Sequence, residues 1–299
     1  MESFTIPPTL ACVLCFNASD PLGAGGLSSD AAVVASMGAH ALPVVTGAYL
    51  RDSRETQSHA SLDDSAVADQ ARLVAEDAPP HAIKVGFVGS AESLAAIAAL
   101  AADYADVPLI AYLPDLSWWS EHDIEHYLDA FRELLLPQTA VLVGNNATLR
   151  HWLLPESLTD RHARATDLAR AAAEWGVPYV LVTGLPVADD EVGNVLASPQ
   201  TTLVTQKFER IDAAFIGAGD ILSAALAALL ASGSSLEGAT VEALQYLDQA
   251  LSHGFVPGMG RAMADRLFWA ESGGEPDDSS STDDSPSSPF PDPTHETQH

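Results

Sequence analysis

Two glycine-rich segments have the residue types of an anion-binding site. Residues 20–26 (DPLGAGG) lie between a short apolar run and a helical pattern, and residues 217–220 (GAGD) precede a long apolar helical pattern. Glycines allow a backbone to approach a ligand closely, and a helix start offers free N–H groups to negative charge. The glycine order of the first segment fits neither the dinucleotide fingerprint nor a Walker A loop. That segment alone is therefore as typical of a tight turn as of a site.

The second segment has the more specific pattern. After Gly217, the backbone N–H groups of Ala218, Gly219 and Asp220 can converge on one point, where the helix dipole also favours negative charge. Such a point would stabilise a phosphoryl group during transfer, and the Asp220 carboxylate could accept a proton from an attacking hydroxyl. A helix cap after a glycine turn is an equally good interpretation of Asp220 from the local sequence.

The elements that must position these segments alternate along the chain. Short runs rich in Val, Ile and Leu alternate with longer Ala-rich stretches of helical period. Runs that are apolar throughout are typical of parallel strands covered on both faces, so the pattern predicts an open, doubly wound, mostly parallel α/β sheet. Ligands bind such sheets beyond the carboxyl ends of the strands. The predicted strands are 10–16, 41–46, 82–88, 108–113, 140–144 and 178–183, and the predicted helices are 28–37, 65–76, 91–104, 121–135, 159–175, 220–230 and 236–252.

Two further runs predict an antiparallel hairpin at the edge of this sheet. Residues 193–197 and 201–208 are separated by Ser198-Pro199-Gln200, which is a turn signal. No internal repeat and no second domain boundary interrupts the pattern before residue 271.

The charge of the chain disfavours some classes of partner. The sequence has 41 acidic and 13 basic residues and a net charge of -28. Nucleic acids are bound by Lys and Arg that displace counterions, so we expect neither a nucleic-acid partner nor binding to an acidic membrane surface. Residues 1–270 can bury a large core. Residues 271–299 are rich in Ser, Pro, Asp and Glu, contain no Lys or Arg, and predict a disordered acidic tail.

Cysteine usage and hydropathy predict a cytoplasmic protein. The two cysteines, Cys12 and Cys15, lie three apart in a strand pattern and so face opposite sides, as core residues do, rather than forming a redox or zinc pair. No disulfide framework is expected. The N-terminus lacks the basic region of a signal peptide, and no apolar stretch reaches the ~20 residues of a membrane span.

Several segments in order resemble one family. They are residues 20–30 (DPLGAGGLSSD), 37–40 (MGAH), 44–46 (VVT), 84–87 (KVGF), 134–138 (LLLPQ), Asn145 and 223–229 (SAALAAL). With these segments, the chain resembles the hydroxymethylpyrimidine and phosphomethylpyrimidine kinases of thiamine biosynthesis, members of the ribokinase-like superfamily. The resemblance covers most of the chain before residue 271.

The resemblance implies a kinase that uses ATP and Mg²⁺ to phosphorylate a hydroxymethyl or phosphate oxygen of a pyrimidine. It also implies a homodimer. It assigns site residues in three groups: Asp220 as the base with the amides of Gly217, Ala218 and Gly219; Asp20, Gly25, Asp30 and Arg51 at the substrate; and Asn145, Thr183 and Gly184 at the nucleotide.

Five positions depart from the usual family pattern. Asp220 replaces a common Cys and is the base of the wider superfamily. The other four departures replace polar or charged family residues: Arg51 for a Gln that binds the pyrimidine, Tyr112 for an Asp, Thr148 for a Glu that organises magnesium, and Thr183 for a Lys. The metal ligands are therefore unassigned.

These departures leave two alternatives open. One is a diverged protein that binds ligand without turnover and acts in regulation. The other is a kinase for a different small alcohol, which would be favoured if Arg51 faced an anionic group of the substrate.

Three further features have a simpler interpretation beside the functional one. His122 and His126, with acidic neighbours, resemble a helical metal site, but an acidic solvated helix face is the favoured interpretation. Lys84 either belongs to the site or extends from the surface. Three tryptophans, Trp118, Trp119 and Trp152, are interpreted as packing residues.

Overall fold

The computed structural model describes residues 10–153, 164–187 and 190–270. Its centre is a nine-stranded sheet with the order β3-β2-β1-β4-β5-β6-β7-β8-β9. The six strands from β2 to β7 in this order are parallel to one another, and β3, β8 and β9 extend the two edges through antiparallel pairs. The strands are β1 (Cys12–Ser19), β2 (His40–Arg51), β3 (Thr56–Ser61), β4 (Ala82–Val85), β5 (Leu109–Leu113), β6 (Val141–Asn145), β7 (Tyr179–Pro186), β8 (Glu191–Ala197) and β9 (Thr202–Glu209).

A small second sheet pairs β10 (Phe215–Ile216) with β11 (Ala262–Met263) in parallel. The helices are α1 (Gly26–Ser36), α2 (Asp64–Asp77), α3 (Ala91–Asp103), α4 (Glu121–Ala130), α5 (Asn146–Leu153), α6 (Ala165–Ala173), α7 (Ala218–Ala231) and α8 (Leu236–Ser252). Helix α4 continues as a π-helical turn, Phe131–Leu135, and a 3-10 turn, Leu136–Gln138.

The helices cover both faces of the sheet, which confirms the predicted doubly wound class. One buried cluster combines strand residues such as Leu14 with side chains of α2 to α6, and the other combines strand residues such as Val13 with side chains of α1, α7 and α8. Because successive strand residues point to opposite faces, Cys12 packs beside the first cluster and Cys15 lies in the second. Both thiols are free.

Most predicted elements are present, and the differences have physical reasons. The edge hairpin is β8 and β9, as predicted. Strand β3 was not predicted because its sequence, TQSHAS, carries no apolar run and four of its six residues are exposed. The predicted helix 159–175 appears as α6, and its first part, residues 159–163, lies outside the described residues. Short helix α5 and the two-residue strands β10 and β11 were also not predicted.

The chain contacts divide the protein after Phe268. The predicted acidic tail, residues 271–299, lies outside the described residues, so its disorder stays a prediction. Among the described helices, none is long and apolar enough to cross a membrane.

The fold places the amino end of α7 beyond the carboxyl ends of the central strands. Helix α7 packs against β1, β4 and β5 and lies beside α1. The loop after β1 and the loop before α7 therefore meet at one edge of the sheet, which is where ligands bind in open α/β proteins.

Candidate active site

The two glycine segments singled out in the sequence lie in direct contact. Gly217 caps α7 with a left-handed backbone, φ 83°. A side chain at this position would overlap the carbonyl oxygen of Ala24, and a Cβ at Gly25 would lie 2.5 Å from Asp220 Oδ2. The close approach of the two loops therefore requires glycine at both positions.

The Asp220 side chain is held by three donors. Its Oδ1 atom accepts hydrogen bonds from Lys84 Nζ and Asn17 Nδ2, both at 2.8 Å. Its Oδ2 atom accepts one from the Gly26 backbone N–H at 3.1 Å. The Asp220 side chain is 12% exposed to solvent. Asp220 is thus more than a helix cap, because its carboxylate is bound by side chains of β1 and β4.

Lys84 joins Asp220 to a second carboxylate. Its Nζ atom donates to Asp30 Oδ1 at 2.8 Å and contacts Asp30 Oδ2 at 2.9 Å. Asn17 Nδ2 bridges the same two acids, since it also donates to Asp30 Oδ2 at 3.0 Å. Lys84 is fully buried, so the surface alternative for this lysine is wrong. We call Asn17, Asp30, Lys84 and Asp220 the buried charge cluster.

Burial and charge compete in setting the pKa values of this cluster. Burial raises the pKa of Asp220, but the Lys84 ammonium and the hydrogen bonds from Gly26 and Asn17 together outweigh it, so the pKa is lowered overall. For Asp30 burial prevails over the same ammonium, and its pKa is raised to about 6. Burial opposes the charge of Lys84, but the two carboxylates outweigh burial and raise its pKa. Asp220 is therefore ionised at neutral pH and able to accept a proton.

Asp20 holds the glycine loop in place and binds Arg51. It accepts hydrogen bonds from the backbone N–H groups of Gly25 at 2.9 Å and Leu22 at 3.1 Å. Arg51 Nε donates to it at 2.9 Å, and Arg51 Nη2 forms a second contact with the same carboxylate. The Arg51 guanidinium also lies 4.5 Å from the centre of the Tyr49 ring. Asp20 itself has no exposed side-chain surface.

A cavity of about 540 Å³ opens in front of Asp220, and we call it the central pocket. Aromatic side chains form part of its wall, and the Tyr112 ring packs directly against Gly219 at the first turn of α7. Burial is the main cause that raises the pKa of Tyr112, with the charge of Asp220 second, so its hydroxyl stays protonated. The aromatic wall residues are Tyr49, Tyr112, Trp118 and Phe215.

A second cavity, of about 330 Å³, lies between the edge hairpin and α8, and we call it the hairpin pocket. Apolar side chains such as Phe208 and Leu251 form most of its wall, and Asn194, Arg210 and Asp248 are among its polar residues. The two pockets adjoin at the amino end of α7, because both are lined by a shared set of residues: Asn145, Thr183, Phe215, Ala218 and Leu247.

Comparison with known proteins identifies the family. Residues 20–265 match the model of the phosphomethylpyrimidine kinase family. The chain belongs to this family. It is 30% identical over 278 residues to a hydroxymethylpyrimidine/phosphomethylpyrimidine kinase of Streptomyces coelicolor, covering 90% of this chain and 99% of that one.

Pyridoxal kinases are also similar. A pyridoxine/pyridoxal/pyridoxamine kinase of Bordetella avium is 33% identical over 179 residues, 58% of this chain and 60% of that one. Pyridoxal kinase of Bacillus subtilis, solved as an ADP complex, superimposes with a TM-score of 0.75 over 88% of this chain and 100% of that chain, at 19% identity. The family match and the fold confirm the resemblance seen in the sequence. As a member of the phosphomethylpyrimidine kinase family, the protein is a kinase.

Most of the site residues predicted for this kinase lie around the two pockets. Residues 217–220, Arg51, Asn145 and Thr183 line the central pocket, and Gly184 lines the hairpin pocket. Asp20 and Asp30 line neither, because the first binds the loop and Arg51 and the second faces Lys84 and Asn17. The structure therefore places these two acids outside the lining of both pockets, and their role at the substrate stays a prediction.

Sequence reasoning missed other residues of the site. Asn17 bridges the two acids, and its signal was a polar residue inside an otherwise apolar strand. No sequence pattern indicated that Tyr49 and Trp118 line the central pocket, although Trp118 does pack beside the core as predicted. The predicted solvated helix face fits the structure, since the side chains of His126 and Glu92 are both exposed. His126 Nε2 lies 3.8 Å from Glu92 Oε1. Within the described residues, no group of three or more His, Cys, Asp or Glu could hold a metal.

Proposed function

We propose that this kinase transfers the γ-phosphoryl group of ATP to hydroxymethylpyrimidine, to its monophosphate, or to both, in thiamine biosynthesis. The observation that carries the proposal is the position of Asp220 and the 217–220 loop where the two pockets adjoin. An acceptor in the central pocket and a nucleotide in the hairpin pocket would meet at this loop.

The chemistry assigned to Asp220 is general-base catalysis. As the acceptor oxygen attacks the γ-phosphorus, the bond from that phosphorus to the β-γ bridging oxygen breaks and ADP leaves. The acceptor proton passes to Asp220. Its Oδ2 atom is the better placed, because Oδ1 already accepts two hydrogen bonds. The free backbone N–H groups of the first turn of α7 stabilise the charge on the transferring group.

The central pocket suits a flat aromatic acceptor. Tyr49 and Trp118 have ring centres 6.2 Å apart with an edge-to-face geometry, and Tyr112 lies against the loop that faces the phosphate. Aromatic walls bind flat rings through edge and face contacts. This supports a heteroaromatic alcohol as the substrate class.

The hairpin pocket suits the base and ribose of a nucleotide. Its walls are mostly apolar, as those of ligand pockets usually are, and a few polar groups would fix the orientation of the bound nucleotide. Gly184 has a left-handed backbone, φ 71°, and a side chain there would overlap that of Asn145, which lines both pockets. The ADP bound by the Bacillus subtilis pyridoxal kinase supports ATP as the donor here.

The residues present fit a magnesium ion held mainly by nucleotide phosphates. In phosphoryl-transfer sites Mg²⁺ usually takes one or two carboxylates, with waters and phosphate oxygens as its other ligands. Asp115 just after β5 and Asn145 at the end of β6 line the central pocket and would supply oxygen ligands, although their oxygens already accept hydrogen bonds from Ser117 and from the Ala147 backbone N–H. When bound, the ion would neutralise charge on the phosphates of the nucleotide.

A pyridoxal-type alcohol is the second candidate acceptor. The similarity to the Bordetella avium kinase favours it. Arg51 bears on this choice, since it lines the central pocket but its guanidinium is already bound by Asp20. That pairing weakens the case for Arg51 as the partner of an anionic substrate group.

We also propose that the protein is a homodimer, as the resemblance implies, and that it is cytoplasmic, as its cysteine usage and hydropathy predict. The mass of the protein in solution tests the oligomeric state, because a dimer has twice the chain mass of 31.3 kDa.

A substrate panel with an Asp220→Asn variant tests the proposed function. Wild-type protein with ATP and Mg²⁺ is assayed against hydroxymethylpyrimidine, its monophosphate and pyridoxal. We expect pyrimidine turnover, and about a 10²- to 10⁴-fold lower kcat in Asp220→Asn. Asp69→Asn, an exposed acid paired with Arg72, is the matched control and keeps wild-type activity.

Each other outcome changes a specific part of the proposal. Turnover of pyridoxal alone would support the second candidate. Calorimetric binding of pyrimidine and nucleotide without any turnover would support the diverged binding protein. An Asp220→Asn protein with normal kcat would show that Asp220 is not the base.

A further inference from the structure

The buried charge cluster contains more charge than a catalytic base requires. Asp30 and Lys84 have no exposed surface and line neither the central pocket nor the hairpin pocket, yet Lys84 binds Asp220, and Asp30 shares both Lys84 and Asn17 with it. With both acids ionised and the lysine protonated, the cluster has two negative charges and one positive charge. Burying such a group is costly unless each charge is well paired, so its composition calls for a physical reason.

The two carboxylates compete for the same ammonium. Lys84 Nζ lies 2.8 Å from Asp220 Oδ1 and within 2.9 Å of both oxygens of Asp30. Asp30 thus receives the bidentate contact and Asp220 the single one. Asn17 adds one hydrogen bond to each acid. The ammonium charge is therefore shared, and the larger part of its contact is with Asp30, the acid that lines neither pocket.

This sharing has a consequence for proton transfer. A buried lysine paired with Asp220 alone would form a neutral pair, and accepting a proton would leave a net positive charge beside the pocket. With Asp30 ionised as well, the cluster starts at one net negative charge and becomes neutral when Asp220 takes the proton. In a buried site the second change is the more favourable one.

We propose that Asp30 is a positioning residue that keeps Asp220 basic by sharing the charge of Lys84. The inference rests on the proposed function, because it assumes that Asp220 accepts the acceptor proton. In the transfer step the proton moves from the acceptor hydroxyl to Asp220 and later to solvent. The protonation states of Asp30 and Lys84 stay unchanged throughout.

The groups around the cluster predict the pH range of this effect. Asp30 on α1 faces Lys84 from β4, Asp220 from α7, and Asn17 and Cys15 from β1. Burial raises the pKa of Asp30 to about 6 and that of Cys15 well above its usual range, so only Asp30 changes charge near neutrality. The charges of the other groups that face Asp220 also do not change near neutral pH, since Arg51 stays protonated and Tyr49 and Tyr112 stay neutral.

As pH falls through about 6, Asp30 becomes neutral and Lys84 acts on Asp220 alone. Asp220 is then a weaker base, so kcat falls. The expected profile of kcat against pH therefore has an acid limb with its midpoint near 6, well above the ordinary pKa of Asp220.

The Asp30→Asn variant tests this directly. It removes the charge but keeps a side chain of the same size. We expect kcat at pH 8 to fall about 10- to 100-fold, with KM for both substrates within about twofold of wild type, and the acid limb near pH 6 to disappear. Asp69→Asn again serves as the control, with an unchanged profile. An Asp30→Asn protein that keeps the wild-type kcat and acid limb would overturn the inference.

A readout without turnover separates this inference from the proposed function. The ¹³C-carboxyl signal of Asp30 is titrated by NMR in wild-type protein and in Asp220→Asn. We expect a midpoint near 6 that falls in the variant, because the negative neighbour is removed. A midpoint that is the same in both proteins would refute the coupling, even if Asp30→Asn does not fold or no tested acceptor is phosphorylated.

Discussion

The two lysines of this chain lie in opposite environments. Lys84 is fully buried at the centre of the sheet and bridges Asp30 and Asp220. Lys207 lies on β9 at the edge of the sheet and pairs with Glu191 at 3.3 Å, with half of its side chain exposed. Both lysines form an ion pair with an acid. Lys207 can also be hydrated, whereas buried Lys84 cannot.

The comparison shows how an acidic protein uses scarce positive charge. An exposed pair such as Lys207 and Glu191 is solvated in either state and adds little stability. At the centre, where water is excluded, one ammonium holds two carboxylates in fixed positions. A chain with 13 basic residues against 41 acidic ones places one of its two lysines at this point. We therefore expect the edge of the sheet to tolerate the loss of its lysine and the centre to be destabilised by it.

Removing Lys84 should have the largest effect. Lys84→Met leaves Asp30 and Asp220 buried without their counter-charge, so we expect the free energy of unfolding in urea to fall by about 3–5 kcal/mol. Adding Asp30→Asn to this variant should recover part of the loss, because one of the unpaired charges is gone. A Lys84→Met protein as stable as wild type would show that the buried pairing does not support the fold.

Crowding at the glycine loop should have the next largest effect. Gly217 and Gly233 both have left-handed backbones, φ 83° and 88°, but a side chain at Gly217 meets Ala24, whereas nothing lies within 4 Å at Gly233. We expect Gly233→Ala to lose about 1 kcal/mol from backbone strain alone, and Gly217→Ala to lose more, together with phosphoryl transfer. Thermal unfolding and activity of the two variants measure the difference. Equal losses would argue against the tight contact of the loops.

Salt should stabilise the whole molecule by a smaller amount. With a net charge of -28, repulsion between exposed acids opposes the folded state, and salt screens this repulsion. We expect the midpoint of thermal unfolding to rise by about 2–4 °C between low and high sodium chloride, equivalent to about 1 kcal/mol. The deficit of Lys84→Met should persist at high salt, since buried charges are screened much less. If salt erased that deficit, the centre would be more hydrated than its burial indicates.

Removing Lys207 should have the smallest effect. Lys207→Met breaks only a half-exposed pair, so we expect a loss of about 0–1 kcal/mol in urea unfolding, shrinking further in salt. Phosphoryl transfer should be unchanged, since Lys207 lines neither pocket. A loss as large as that of Lys84→Met would remove the contrast between centre and edge.

Much of the fold follows from local patterns of the sequence. The apolar runs predicted the central parallel strands, because a strand covered on both faces must be apolar throughout, and the turn at Ser198 to Gln200 predicted the edge hairpin. Strand β3 escaped prediction because four of its six residues are exposed, so pairing with β2, not hydrophobicity, makes it a strand. The 217–220 loop was also visible, as small residues that precede an apolar helix.

The sequence by itself determined the class of the sheet, the glycine loops and the family that the ordered motifs resemble. Only the tertiary structure decided what the acids do. Asp220 is 203 positions from Asn17 and 136 from Lys84, and no local pattern records such separations. Two acids expected at the substrate line neither pocket, because they pair with Arg51 of β2 and Lys84 of β4, the strands on either side of β1. Charge pairing in a buried site is set by distance in space, and the packing of β1, β4, α1 and α7 supplies that distance.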